Sequence, residues 1–191
     1  SIGLSIHFLV ILPIVFFIFT RINPIKHWKA MASAFATAFS TSSSGATLPV
    51  TINCVENNAG VSNRTTSFVL PLGATINMDG TALYECAGVL FIAQALGIDL
   101  TISQQVVIVL TAFLASVGAA AIPSAGLVMI FIVLDAVGLG THPGAAVIVG
   151  TMLAVDRPLD MFRTMVNVAS DSIGAVVVAK SEGELNLYQT K

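Results

Sequence analysis

Between Arg64 and Arg157 the chain contains no lysine and no arginine. That stretch limits the fold more than any other feature. A soluble domain carries about 25% charged residues, with both signs mixed over its surface. Here 9% of the 191 residues are charged and 55% are hydrophobic. So little charge cannot cover a surface in water. The expected class is an all-α integral membrane protein, since backbone groups in lipid must be satisfied within the chain.

The remaining composition excludes more than it suggests. No basic patch is interleaved with aromatics, which argues against a nucleic-acid partner. Cys54 and Cys86 have neither metal-type spacing nor a disulfide framework and read as packing residues. His7, His27 and His142 fall near ends or loops and read as incidental; no Ser/His/Asp arrangement suggests an enzyme. The chain opens Ser1-Ile2-Gly3 and turns apolar at once, so it reads as a piece of a longer polypeptide.

Five segments follow from the apolar runs. The run from Ile2 to Phe19 would extend about 27 Å as a helix, enough for one span, giving a first segment over 1–20. The others are 28–56, 62–97, 103–139 and 143–180, before a cytoplasmic tail at 181–191. Basic residues cluster at 20–30, at Arg64 and from Lys180 onward, and are absent at 97–103 and 138–144. By the excess of Lys and Arg on the cytoplasmic side, 2–19, 65–97 and 144–179 cross, while 31–63 and 103–139 return to the side they left. Residues 31–55 are too few for two spans, so a re-entrant hairpin is expected. Its tip would be "STSSSGATLPV", Ser40 to Val50, with Gly45 turning the backbone and Pro49 opening the return helix. The middle of the second hairpin, "SVGAAAIPSAGLV", has the same plan. Hairpin plus interrupted span thus occurs twice in opposite orientation, a pattern of secondary transporters.

The last span carries an unusual set of polar groups. At about 100° per residue from Asp156, Asp160 falls at about 40°, Arg163 at about 340°, Thr164 at about 80°, Asn167 at about 20° and Asp171 at about 60°. Six groups share one arc, and ionisable groups inside a span point to a bundle interior and a function. Asp160 and Arg163 are also spaced to form an i, i+3 ion pair. Pro158 should kink the helix beside Arg157. In the preceding span, "GATINMDGTALYE" places Asn77, Asp79 and Gly80 where a lipid-facing helix would not want them, so the helix should open there and offer oxygens to a cation.

"TSSSGATLP", "NMDGT", "GAAAIPSAG" and "DxxxDxxRTxxNVxxD", in that order, resemble the glutamate/aspartate:sodium symporters, the excitatory-amino-acid-transporter family. The resemblance covers nearly the whole chain. It implies the sixth span, first hairpin, seventh span, second hairpin and eighth span of an elevator-type transport domain. It also implies a homotrimer formed through a scaffold that this chain lacks, in a plasma or bacterial inner membrane. By this resemblance Arg163 would hold the substrate's side-chain carboxylate and Asp160 its ammonium group. Thr164 and Asn167 would add polar contacts, Ser43 and Ser44 would meet the α-carboxylate, and Thr81 would lie alongside. Ile122, Ser124 and Gly126 would close over the substrate. Sodium would be held by Asn77, Asp79, Asn167 and Asp171 with the carbonyls of Gly73 and Thr75, and a further ion by the carbonyls of Ser116, Val117 and Ala119. Glu85 would carry a proton, and Ser42, where archaeal members have arginine, resembles the potassium-coupled branch. The resemblance gives Arg157 no role. The implied activity is Na⁺-driven, H⁺-coupled uptake of glutamate or aspartate, with K⁺ counter-transport as a further possibility. A neutral amino-acid exchanger would lack Arg163, and a C4-dicarboxylate symporter would lack the ammonium partner Asp160. An ion channel built on the polar stripe is the alternative from another class.

Overall fold

The computed structural model describes residues 1–119 and 125–188. Helices are the only regular elements among them. They are α1 (Ile2–Ile6), a π-helical turn (His7–Ile11), α2 (Leu12–Thr20), α3 (Pro24–Ala30), α4 (Ala32–Thr41), α5 (Ser44–Asn57), α6 (Asn63–Ile76), α7 (Asp79–Ala95), α8 (Ile102–Gly118), α9 (Ala125–Ala136) and α10 (Pro143–Ser181). Ile2–Thr20 is long and apolar enough to cross a membrane. Its π turn has a local cause. Pro13 lacks an N–H and its ring crowds the carbonyl four residues back, and the turn before it widens so that the Leu12 N–H bonds the His7 carbonyl, five residues away.

The first helix pair turns two residues earlier than Gly45 would place it. Ser42 takes the left-handed conformation (φ 52°) and Ser43 is extended, while Gly45 and Pro49 lie inside α5. Ser43 wins this competition because its hydroxyl caps the helix, accepting the Ala46 N–H at 3.1 Å. Further hydroxyls bind the turn: Thr47 Oγ1 donates to the Ser43 carbonyl at 2.8 Å, and Thr41 and Thr47 bond side chain to side chain at 2.9 Å. The chain opens again at Asn77 and Met78, both non-helical, between α6 and α7. α10 continues through Pro158 as one helix of 39 residues.

Two apolar clusters sit on either side of the polar stripe. One joins the first helix, α3–α6 and the C-terminal part of α10 through Phe8, Phe16, Met31, Phe35, Leu70 and Val166. The other joins α7, α8, α9 and the N-terminal part of α10 through Val89, Ile92, Ile108, Ile130, Leu134 and Val149. The stretch 156–171 of α10 lies where one cluster gives way to the other.

The histidines are not incidental. His142 caps α10, accepting the Gly144 N–H, and His7 bonds Asp79. His27 has no exposure, stacks on Phe16 at 4.8 Å between ring centroids, and bonds Ser172 and Tyr188. Burial lowers its pKa from 6.5 to about 3. The sign follows by linkage. Above pH 6.5 both folded and unfolded states are neutral at this residue. Between 6.5 and 3 only the unfolded state takes the proton, so stability falls as pH falls. The full-length protein should therefore lose about 1.4 kcal/mol per pH unit from this group across that window. Melting temperatures at neutral and mildly acidic pH should diverge less in His27→Phe than in the wild type, and equal slopes would refute the assignment.

Candidate functional site

The site is assembled on α10 and closed by α6, α7 and α9. Its centre is Arg163, which is 1% exposed. One terminal nitrogen donates to Asp156 Oδ1 at 3.0 Å and the other to Asp160 Oδ1 at 2.8 Å. Its guanidinium carbon lies 3.9 Å from the ring centre of Tyr84 on α7, a cation–π contact. Arg157, with a largely exposed side chain, reaches Asp160 Oδ2 at 3.8 Å. Two carboxylates therefore share one buried guanidinium, and the arrangement is the i, i+3 pair extended by a second acid one turn further back. Asp156 Oδ2 and the Tyr84 hydroxyl are buried without a hydrogen-bond partner.

Beside this triad lies a neutral polar wall. Asn167 accepts the Gly80 N–H at 2.8 Å and donates to Thr81 Oγ1 at 3.2 Å, so it caps the opened start of α7. Thr164 donates back to the Asp160 carbonyl at 3.0 Å. At the start of α9, a Cβ on Gly126 would come within 2.8 Å of Thr81 Cγ2 and 3.7 Å of the Arg163 guanidinium carbon. Gly126, Thr81 and Arg163 are thus brought together. Glu85, one turn along α7 from Thr81, has no exposure, and neither carboxyl oxygen has a partner.

A second cluster surrounds the break between α6 and α7. Asn77 Nδ2 donates to Asp171 Oδ1 at 2.8 Å and to Ser170 Oγ at 2.7 Å, and Ser170 donates to Asp79 Oδ1 at 2.8 Å. Asp79 Oδ2 meets His7 Nε2 at 2.6 Å. Gly73, Asn77, Ser170 and Asp171 line a cavity of about 340 Å³. No group of three or more His, Cys, Asp or Glu is placed to hold a metal among the described residues. The donors are mostly amide, hydroxyl and single carboxylate oxygens, which suit a hard cation of low charge.

A family model described as the sodium:dicarboxylate symporter family matches residues 1–181. The chain belongs to that family. It is 54% identical to human excitatory amino acid transporter 3 over 178 residues, which is 93% of this chain and 33% of that protein. It is 52% identical to human excitatory amino acid transporter 2 over 191 residues, 100% of this chain and 32% of that protein. An excitatory amino acid transporter of Caenorhabditis elegans is 52% identical over 176 residues, 92% of this chain and 34% of that protein. The chain spans about a third of the length of these relatives. Both the family and the relatives are transporters rather than enzymes, and the family places the chain in a membrane.

Within this symporter chain the expected residues divide unevenly. Asp160, Arg163, Thr164, Asn167, Thr81 and Gly126 gather in one place, and Gly73, Asn77, Asp79 and Asp171 in the adjoining one. Ser44 is buried and Ser43 serves as a cap at the first turn. Thr75, expected through its carbonyl, lies next to the break at the end of α6, with its exposed side chain turning the hydroxyl back to the Leu72 carbonyl at 2.9 Å. Ser116 is buried and its hydroxyl bonds the Phe113 carbonyl at 2.8 Å within α8, and Val117 and Ala119 follow it at the end of that helix. Ile122 and Ser124 lie outside the described residues. Sequence reasoning missed Ser170 and His7. Ser170 stands at about 320° on the α10 wheel, just beyond Arg163, so the stripe already reached it. His7 carried only the weaker signal of an ionisable group in an apolar run.

The close approach of α7 to α10 has a direct test. A Cβ on Gly80 would lie 2.8 Å from the Arg163 carbonyl oxygen. Gly80→Ala must push the helices apart, at about 1–3 kcal/mol. A lower melting temperature of the full-length variant would show this, and an unchanged one would mean that the crossing has slack.

Proposed function

We propose that this chain supplies the substrate and cation sites of a sodium-coupled transporter of acidic amino acids, glutamate or aspartate. The observation that carries the reading is the buried Arg163 held between Asp156 and Asp160 over the face of Tyr84. An amino acid with a second carboxylate complements both signs at once. Its side-chain carboxylate takes a bidentate place on the guanidinium, and its ammonium group takes over Asp160. A neutral amino acid would leave Arg163 unanswered, and a plain dicarboxylate would leave Asp160 unanswered. The names of the relatives support the same substrate class.

Na⁺ is the co-transported ion, held by oxygens of Asn77, Asp79, Asn167 and Asp171 with carbonyls nearby. Ser170 joins this set through its bonds to Asn77 and Asp79. Glu85 carries the coupled proton, a role supported by its burial without partners. K⁺ returns on the empty cycle, and trimers form through the remainder of the polypeptide. The two helix pairs α4–α5 and α8–α9 enter the membrane and leave by the same side. With 10 and 14 residues, α4 and α5 are about 15 and 21 Å long, too short for a hydrocarbon core of about 30 Å. The multi-pass domain then works by alternating access in a plasma or bacterial inner membrane, and coupling arises because ion-loaded and empty states bind substrate differently.

The decisive experiment reconstitutes the complete protein in liposomes and measures labelled glutamate, aspartate and serine with and without an inward Na⁺ gradient. Accumulation of the acidic substrates only with the gradient is expected, and a channel would not concentrate them. Arg163→Cys should abolish acidic uptake while sparing some neutral uptake, and unchanged glutamate or aspartate uptake would remove Arg163 from its role. Glu85→Gln should make net uptake independent of pH. If that variant keeps the wild-type pH profile, the proton travels elsewhere.

A further inference from the structure

We propose that His27 and Tyr188 are positioning residues that fix the rotation of α10 about its axis, and so aim Asp171 and Asn167 at their partners on α6 and α7. The proposal rests on the reading of those two residues as part of the cation site. Ser172, where His27 reaches α10, stands at about 160° on the wheel that puts Asp171 at about 60° and Asn167 at about 20°. The pin and the site therefore act on well-separated faces of one helix.

A chain of hydrogen bonds runs behind α10. Ser172 Oγ lies 2.8 Å from the Ala169 carbonyl oxygen and 2.9 Å from His27 Nε2. His27 Nδ1 in turn bonds the Tyr188 hydroxyl at 2.5 Å, so the neutral imidazole donates from one nitrogen and accepts at the other. Every group in this wire is neutral and satisfied.

Both anchors are held by several contacts. His27 is enclosed by Phe16, Trp28 and Tyr188, with ring centroids 4.8, 5.6 and 6.1 Å away. Tyr188 is held by its backbone. Its N–H bonds the Ala59 carbonyl at 2.8 Å, and its φ of 56° is a left-handed value that a tyrosine keeps only when its surroundings impose it. Just upstream, a Cβ on Gly60 would come within 2.7 Å of the Asn186 carbonyl oxygen, so the tail lies directly on the α5–α6 connection. Glu184 accepts from the Ser62 N–H at 2.8 Å, the Ser62 hydroxyl at 2.6 Å and the Thr65 hydroxyl at 2.8 Å, which ties the same tail to the start of α6.

On the opposite side there is little slack. Asp171 Oδ1 accepts from Asn77 at 2.8 Å, and a Cβ on Gly73 would meet the same oxygen at 2.7 Å. A rotation of α10 by about 20° would move an atom about 5–6 Å from its axis by about 2 Å. Displacements of that size are enough to spoil a coordination site.

The test uses the full-length protein in detergent and in liposomes. Its first readout is a Na⁺ titration of the melting temperature. Its second is uptake at saturating Na⁺. Tyr188→Phe keeps the ring and removes the hydroxyl, Ser172→Ala cuts the other end, and Ser172→Thr keeps a hydroxyl there. Tyr188→Phe and Ser172→Ala should raise the Na⁺ midpoint about 10-fold, with maximal uptake and substrate KM at saturating Na⁺ within about twofold of wild type. Ser172→Thr should restore the midpoint, and the double variant should be no worse than Ser172→Ala, because both cut one wire. If Ser172→Ala fails to fold, Tyr188→Phe alone decides. Midpoints within twofold of wild type would overturn the inference and leave the transport reading intact. So would a loss of maximal uptake that Ser172→Thr does not rescue. A wild-type protein whose melting temperature ignores Na⁺ would overturn both.

Discussion

Burying a guanidinium is costly, and everything near Arg163 answers that cost. In a low-dielectric interior the charge needs partners of opposite sign and a full set of acceptors. Asp156 and Asp160 supply both from the same helix, at seven and three residues' distance, and Tyr84 adds its ring face from α7. Such a triad is poor evidence for stability, because apolar side chains of similar volume often do as well. On the transport reading proposed above, its value would lie in exchange: a ligand carboxylate would replace one that holds the guanidinium, and an ammonium group on the same ligand would take over the released Asp160.

Placing this triad inside requires α10 to turn one face inward over several turns, and the helices around it adapt. α6 and α7 come so close to α10 that a Cβ at 80 would strike the Arg163 carbonyl, and one at 73 would displace the Asp171 carboxylate. In lipid no hydrophobic effect draws helices together, so close backbone approach and cross-helix hydrogen bonds must do so. The break at Asn77 and Met78 serves both needs. It frees backbone groups beside α10, and Asn167 and Asp171 take up some of them and their neighbours. Two packing clusters, one at each end of α10, clamp the polar segment between them.

Much of this could be read from the sequence, for a physical reason in each case. The stripe from Asp156 to Asp171 was legible because a helix repeats every 3.6 residues and polar groups stand out against apolar ones. The break at Asn77 was legible because Asn, Asp and Gly have no business on a lipid-facing helix. What escaped was mostly long-range. His7 and Asp79 are 72 residues apart and His27 and Tyr188 are 161 apart, and no local pattern pairs them. The position of the first turn escaped for a local reason. Glycine is the usual choice for a left-handed residue, but here a serine cap at Ser43 set the helix start and forced Ser42 into that conformation. The carbonyls at the end of α8 follow no side-chain pattern, because their use depends on how a helix end faces its neighbours.

The distribution of unsatisfied groups separates the two halves of the site. Among the described residues, five buried side-chain atoms lack a hydrogen-bond partner: Ser42 Oγ, Tyr84 OH, both carboxyl oxygens of Glu85, and Asp156 Oδ2. Four of them belong to the α7–α10 surface around Arg163, and the fifth to the turn between α4 and α5. The cluster at Asn77 and Asp171 contributes none, because its amide, hydroxyl and carboxylates bond one another. Buried polar groups are normally paired, so this surface is the one with most to gain from a partner outside the protein. On the transport reading proposed above, the cluster at Asn77 would keep its hydrogen bonds until an ion replaced them, whereas the surface around Arg163 would gain most from a ligand that brings both charges together.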